Sequence, residues 1–253
     1  MDSFEIVMHA ESPDLANTSI AFDGENYPAF IEEDAVWHEV SPSFYEEFSE
    51  LQFFVVDKAA EGTLVASVRN VAFDWSGVPD DLPGYHDMLR GAVAMRRLGS
   101  VANTLSAVEV VINPAYRGQG LSRLIVGHLE VIAKNSGLKW ITSALRPALK
   151  ERYPLLPITD YAEWRRDDGE LFDPWLRSFE RMGFTMIKPE PASTVIEGSV
   201  AQWEEWTDLC FPVSGEYWIP GGLSTLLIDL EKDRGVHNEP HVWCEHRGAV
   251  QSL

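Results

Sequence analysis

The stretch Val110-Val111-Ile112-Asn113-Pro114-Ala115-Tyr116-Arg117-Gly118-Gln119-Gly120-Leu121-Ser122 holds the residues best suited to chemistry. A β-branched run stops at Asn113-Pro114, passes through a turn with two glycines and enters a segment of helical periodicity. Such a strand-to-helix turn leaves several backbone N–H groups aimed at one point, where the helix dipole adds about half a positive charge. That arrangement suits a pyrophosphate. No Gly-Lys-Ser/Thr follows, so the turn is not an ATP-type loop, and without the glycines of G-x-G-x-x-G it is not a dinucleotide fingerprint.

A second group of potential ligands is His237, His241, Cys244 and His246, four donors within ten residues. Folded inward they could bind zinc. Their spacings, H-x3-H and H-x2-C-x-H, match no standard finger. Trp243 among them suggests a strand of alternating faces, which would turn His241 and Cys244 to opposite sides. No metal is expected.

The elements that must position these groups can be read from pattern. Ser41-Pro42 predicts a helix start, N-cap followed by proline, running through Phe44, Tyr45, Phe48 and Leu51. Phe53 to Val56 and Thr63 to Phe73 predict a hairpin turned at Glu61-Gly62, and Ser76 to Gly84 a loop. Ala107 to Ile112 reads as a buried strand. Leu121, Leu124, Ile125, His128, Leu129 and Ile132 recur at helical spacing until Gly137, and Lys139 to Leu145 resumes as a strand. This βαβ unit predicts a parallel pair. Residues 146–173 mix prolines, charges and aromatics as an irregular insertion with one helical piece. Pro174 to Met182 follows as a short helix capped by Asp173 and closed by Gly183, then the strand Phe184 to Ile187. A final strand is expected at Leu223 to Leu230.

Composition limits the partners. Of 253 residues, 40 are Asp or Glu and 20 Lys or Arg, a formal charge of −20. This argues against a nucleic acid or an anionic membrane as partner. Residues 1–57 hold 14 carboxylates and no Lys or Arg, leaving −6 for the rest. Hydrophobic residues make up 45%, enough for a substantial core. Two cysteines give no disulfide framework, and neither a signal-peptide pattern nor a run of about 20 apolar residues is visible. A cytoplasmic protein is expected.

Arg117-Gly118-Gln119-Gly120-Leu121-Ser122, after a strand ending in Val111-Ile112-Asn113-Pro114, resembles the R/Q-x-x-G-x-G/A signature of the GCN5-related N-acetyltransferase (GNAT) superfamily. Ser122 stands for the usual final Gly or Ala. Arg181-Met182-Gly183-Phe184 is similar to the family's closing L-G-F element. The resemblance covers roughly residues 50–190 and is specific at 107–125.

The resemblance implies an α/β fold: one GNAT-like domain over 1–253, its mixed, twisted β-sheet flanked by helices and splayed at the CoA-binding strand. An insertion at about 146–173 and a C-terminal extension at about 190–253 would be added, the latter packing on the sheet or building a homodimer contact. It implies acetyl-CoA, or another acyl-CoA, as co-substrate. Main-chain groups of Val110, Val111 and Ile112 would contact pantetheine, and the amides of Arg117, Gly118, Gln119, Gly120, Leu121 and Ser122 the pyrophosphate, with the Arg117 side chain neutralising phosphate. Glu109 falls where relatives carry a general base for an amine acceptor; the other reading of it is a strand glutamate paired with Arg. The tyrosine that protonates the leaving sulfur in relatives is Phe179 here, with Tyr153, Tyr161 and Ser143 as substitutes. The implied reaction is acyl transfer to a primary amine of a small molecule, and the second reading is a non-catalytic acyl-CoA-binding or assembly module. In relatives the N-terminal elements wall the acceptor side. The carboxylate-rich stretch would then attract a cationic acceptor, or else form a solvated face.

Overall fold

The computed structural model describes residues 3–24 and 27–246. Among these, nine strands form one mixed sheet. Strand β1 (Phe4–Met8) lies at one edge, followed in the sheet by β2 (Phe53–Asp57), β3 (Thr63–Phe73) and β4 (Thr104–Ile112), all antiparallel neighbours. The hairpin of β2 and β3 turns at Glu61-Gly62, both at positive φ, as the sequence predicted. Helix α1 (Asp14–Gly24) follows β1.

Helix α2 differs from its prediction. It spans Ala35–Glu46, with Pro42 in its interior. The start is fixed by Asp34, whose Oδ1 accepts from the N–H groups of Val36 and Trp37, a stronger stop signal than Ser41-Pro42. The helix buries Val36, Val40, Ser43 and Phe44. Facing it is α3 (Tyr85–Arg97), a helix the sequence reading did not find. It buries Tyr85, Met88, Leu89, Ala92 and Val93 at i, i+3, i+4, i+7 and i+8. Three ion pairs lace the exposed flank: Glu39 with Arg90 at 2.8 Å, Glu50 with Arg96 at 2.7 Å and Glu47 with Arg97 at 2.7 Å. Part of the acidic stretch is thus occupied with α3 rather than facing solvent or ligand.

The βαβ unit forms as predicted. β4 is followed by α4 (Leu121–Asn135) and β5 (Trp140–Leu145), and β4 and β5 are parallel. The insertion carries one short helix, α5 (Ile158–Glu163), before α6 (Pro174–Arg181) and β6 (Phe184–Gly198). Asp173 caps α6 through Trp175 and Leu176 N–H.

The C-terminal part departs further from expectation. After α7 (Val200–Thr207) and β7 (Gly215–Tyr217), the predicted final strand is only β8 (Leu226–Asp229), and a thirteen-residue β9 (Arg234–His246) follows it. β9 enters the sheet between β5 and β8 and also pairs β6. The strand suggested around Trp243 is this one, and it runs further than expected, with the polar His237, Glu239 and His241 buried in it. The largest apolar cluster lies between this sheet and α2, α3 and α4, and includes Phe44, Leu89, Leu105, Ile125 and Trp243. No helix among the described residues is long and apolar enough to cross a membrane.

Candidate active site

β4 carries a bulge that shapes the site. In its register with β3, Arg69 pairs Glu109 and Asn70 pairs Ala107, leaving Val108 as the extra residue. A bulge bends its strand and raises its twist. Accordingly, the β4–β5 register runs from Thr104–Trp140 to Ala107–Ser143 and stops there. Beyond that point the strands part, and Val108 to Ile112 lie along a cavity of about 1020 Å³. The Tyr85 hydroxyl donates to the Val108 carbonyl at 2.9 Å, and burial holds this phenol well above its usual range.

At the far end of the same strand lies the glycine turn. Gly118 and Gly120 take the left-handed conformation, φ +77° and +85°. Among the described residues, the N–H groups of Gly118, Gln119, Gly120, Leu121 and Ser122 have no backbone acceptor. The Arg117 N–H, in contrast, bonds the Pro114 carbonyl at 3.3 Å. Gly120 is the N-cap of α4 and no side chain caps the helix. Gly118, Gly120, Leu121 and Ser122 line the cavity, and a Cβ added at Gly118 would meet nothing within 4 Å. A string of unpaired donors at a fifteen-residue helix N-terminus, open to solvent, fits a pyrophosphate.

Glu109 lines the cavity and forms an ion pair with Arg69, both nearly buried. Arg69 also donates to the Tyr45 hydroxyl and the Ser19 hydroxyl, each at 3.2 Å. Protonating Glu109 would remove a negative charge paired with a buried guanidinium.

The acid position is occupied as the sequence states: Phe179 is buried, 4.8 Å from Trp175 and 4.6 Å from Phe184 between ring centroids. Its substitutes do not serve. Tyr161 donates to Asp173 at 2.8 Å and packs with Tyr153 in the cluster that also holds Phe179, and neither tyrosine lines the cavity. Ser143 reaches the cavity, but its hydroxyl donates to the Ala107 carbonyl at 2.8 Å.

The residues of the C-terminal cluster have individual partners. His237 Nε2 meets Glu239 at 2.6 Å, His241 Nδ1 meets Ser193 Oγ at 2.9 Å, and His246 Nε2 meets the Met182 carbonyl at 3.0 Å. His241 and Glu239 line the cavity, a placement with no local signal in the sequence. Arg146, at 2.6 Å from Glu239 and also donating to the Gly221 carbonyl, ties the insertion to β9.

These buried groups couple stability to pH. Burial pushes His241 down to about 4, only partly offset by Glu239, with Arg146, His86 and Asp34 also facing it. Burial alone would raise Glu239, but Arg146 and His237 outweigh it and pull the carboxyl down to about 2. Between pH 6.5 and 4 the unfolded chain takes up a proton at His241 that the folded one refuses. Stability should therefore fall as pH drops through that window, and fall again from pH 4.5 toward 2 as Glu239 loses its advantage, each step worth about 3 kcal/mol. Urea unfolding of wild type and His241→Gln at pH 7, 5.5 and 4 checks this, since the variant should lose the first slope.

The N-terminal segment does wall the cavity, through Tyr27, Glu32, Asp34, Trp37, His38 and Tyr45. Asp34 is committed locally, capping α2 and meeting His86 Nε2 at 2.8 Å.

No family model matches the chain. The chain is 31% identical over 189 residues to the arginine N-acetyltransferase avaD of Aspergillus versicolor, a match spanning 66% of this chain and 65% of that protein, so it covers slightly less than two thirds of that relative. The loading GNATL domain of CurA from Lyngbya majuscula superposes with a TM-score of 0.51 at 15% identity, over 83% of this chain and 82% of that one. The GphF GNAT-like decarboxylase in complex with isobutyryl-CoA gives a TM-score of 0.50 at 15% identity, over 81% of each chain. At that identity the two structures speak for the fold alone. The chain is thus related in sequence to an N-acetyltransferase and shares the fold of two GNAT domains.

Proposed function

We propose that the protein transfers an acetyl or another short acyl group from acyl-CoA directly to the primary amine of a small molecule. The observation that carries this reading is the continuity of one cavity from the glycine turn, along the parted edge of β4, to an acidic and aromatic far end. Pyrophosphate would bind the amides of Gly118 to Ser122, with Arg117 and Arg123 nearby to neutralise charge. Pantetheine would pair with the main chain of Val110, Val111 and Ile112 as an added strand does. An incoming ammonium of pKa about 10 must lose a proton before it can attack, and Glu109, through a water, is the proposed acceptor of that proton. The relative's name makes arginine one of the first acceptors to try. A cationic substrate also suits Glu32 and Glu109 on the cavity wall. The two cysteines are unpaired, in keeping with the reducing cytoplasm we propose as the site of action.

The second reading, a non-catalytic acyl-CoA-binding module, is favoured by one observation: Glu109 is already paired with Arg69 and the position of the usual acid is a buried Phe179. Calorimetry with acetyl-CoA, followed by thiol release with a panel of amines including arginine, separates the two. Binding with amine-dependent thiol release is expected. Binding without release for any amine would sink the transferase reading and leave the module.

A further inference from the structure

The cavity contains a histidine whose place the sequence did not reveal. Resting on the transferase reading above, an arm paired along Ile112 to Val110, with its pyrophosphate at the glycine turn, places its sulfur end beside the Val108 bulge. Tyr85 holds that bulge through the Val108 carbonyl, and the His241 ring lies 5.6 Å from the Tyr85 ring between centroids. His241 is nine-tenths buried yet lines the cavity.

The way β6 and β9 pair explains its orientation. Their register slips between Glu190↔His241 and Thr194↔Glu239. The extra residues on β6 bring Ser193, itself buried, to within 2.9 Å of His241 Nδ1. The other ring nitrogen, Nε2, has no partner among the described residues. In the tautomer that donates the Nδ1 proton to Ser193 Oγ, Nε2 carries a lone pair on a ring that lines the cavity. The hydroxyls of Tyr85 and Ser143 are each committed to a strand carbonyl, and Tyr45 to Arg69 and Ser19.

We infer that His241 is a catalytic residue that relays a proton from the amine nitrogen to the departing CoA sulfur. The neutral amine, its first proton having gone to Glu109, attacks the thioester carbonyl carbon and a C–N bond forms. The adduct nitrogen, now positively charged, gives its second proton to His241 Nε2. The adduct then collapses, the C–S bond breaks with its electron pair on sulfur, and the imidazolium protonates the thiolate. Amide and free CoA leave, His241 is neutral again, and Glu109 returns its proton to solvent. A buried imidazole driven down to about 4 is poorly matched to a free ammonium near 10, but as an imidazolium it readily protonates a thiolate of pKa about 8.5. It fills the role left open by Phe179.

The test combines turnover with a measurement on the wild type. His241→Gln should bind acetyl-CoA within about threefold of wild type while kcat falls at least about 100-fold. In His241→Ala, added imidazole should restore part of the rate, which a purely structural histidine would not allow. The second measurement needs no variant: the His241 ring ¹⁵N signals, followed by NMR, should differ between complexes with CoA and with desulfo-CoA. Wild type releasing thiol while His241→Gln stays within threefold of it would overturn the relay and leave acyl transfer standing. Identical ring signals in the two complexes would overturn it as well. Wild type that binds acetyl-CoA but releases no thiol with any amine removes the transferase reading and the relay with it.

Discussion

Replacing Gly120 with valine should weaken acyl-CoA binding at least about 100-fold while leaving the chain folded. Gly120 sits at φ +85° and ψ 8° as the N-cap of α4, and an L-residue there costs roughly 1–2 kcal/mol, more when β-branched. The backbone would relieve that strain by rotating, and the N–H groups of its neighbours would turn with it. Each charge-assisted hydrogen bond to phosphate is worth about 1.5–3 kcal/mol. Losing two accounts for the expected drop, since every 1.4 kcal/mol is about tenfold. The position is exposed, so the core should not suffer. Calorimetry with CoA measures the effect, and an acyl-pantetheine without the pyrophosphate should be bound equally by both proteins. If CoA affinity survives the substitution, the turn is not the phosphate site.

Glu109→Gln should lower kcat about 10²- to 10⁴-fold, the usual range for removing a general base, with acetyl-CoA binding unchanged. The amide keeps the shape of the side chain but cannot take a proton, and it removes the carboxylate that pairs with Arg69. A loss of stability is therefore expected as well, of the order of 3–5 kcal/mol for a broken buried pair. Rates must be read at a temperature where both proteins are folded. The stability loss alone would accompany a merely structural glutamate. A fall in kcat with intact affinity is what a base predicts, and an unchanged kcat in folded Glu109→Gln would return this carboxylate to the role of partner for Arg69.

What could be read in advance follows the range of the interactions involved. The βαβ unit was legible because its signals are local: a β-branched run ended by Asn113-Pro114, a helical period stopped by Gly137, and a glycine turn between them. α2 was misplaced because Pro42 looked like a first-turn residue, whereas the Asp34 cap lies eight residues earlier and tolerates a proline within the helix. α3 went unread although its apolar face is regular at Tyr85, Met88, Leu89, Ala92 and Val93, a pattern that was legible between the charged residues. A strand around Trp243 was suggested, but the extent of β9 and the placement of His241 were out of reach for a different reason. Their polar side chains are buried against Arg146, Ser193 and Thr225, partners 12 to 93 residues away. No local periodicity records a partner at that distance.

The place of β9 in the sheet also bears on how the molecule is assembled. One strand, residues 234–246, supplies the ladder on which β5, β6 and β8 all pair, although β5 ends at Leu145. Contacts of such sequence separation are slow to form, because a long loop must close before any hydrogen bond repays the closure. Until then β5 offers a bare edge to any other extended chain. On this argument β9 should join the sheet late, and once in place it covers the β5 edge and brings His241 with it.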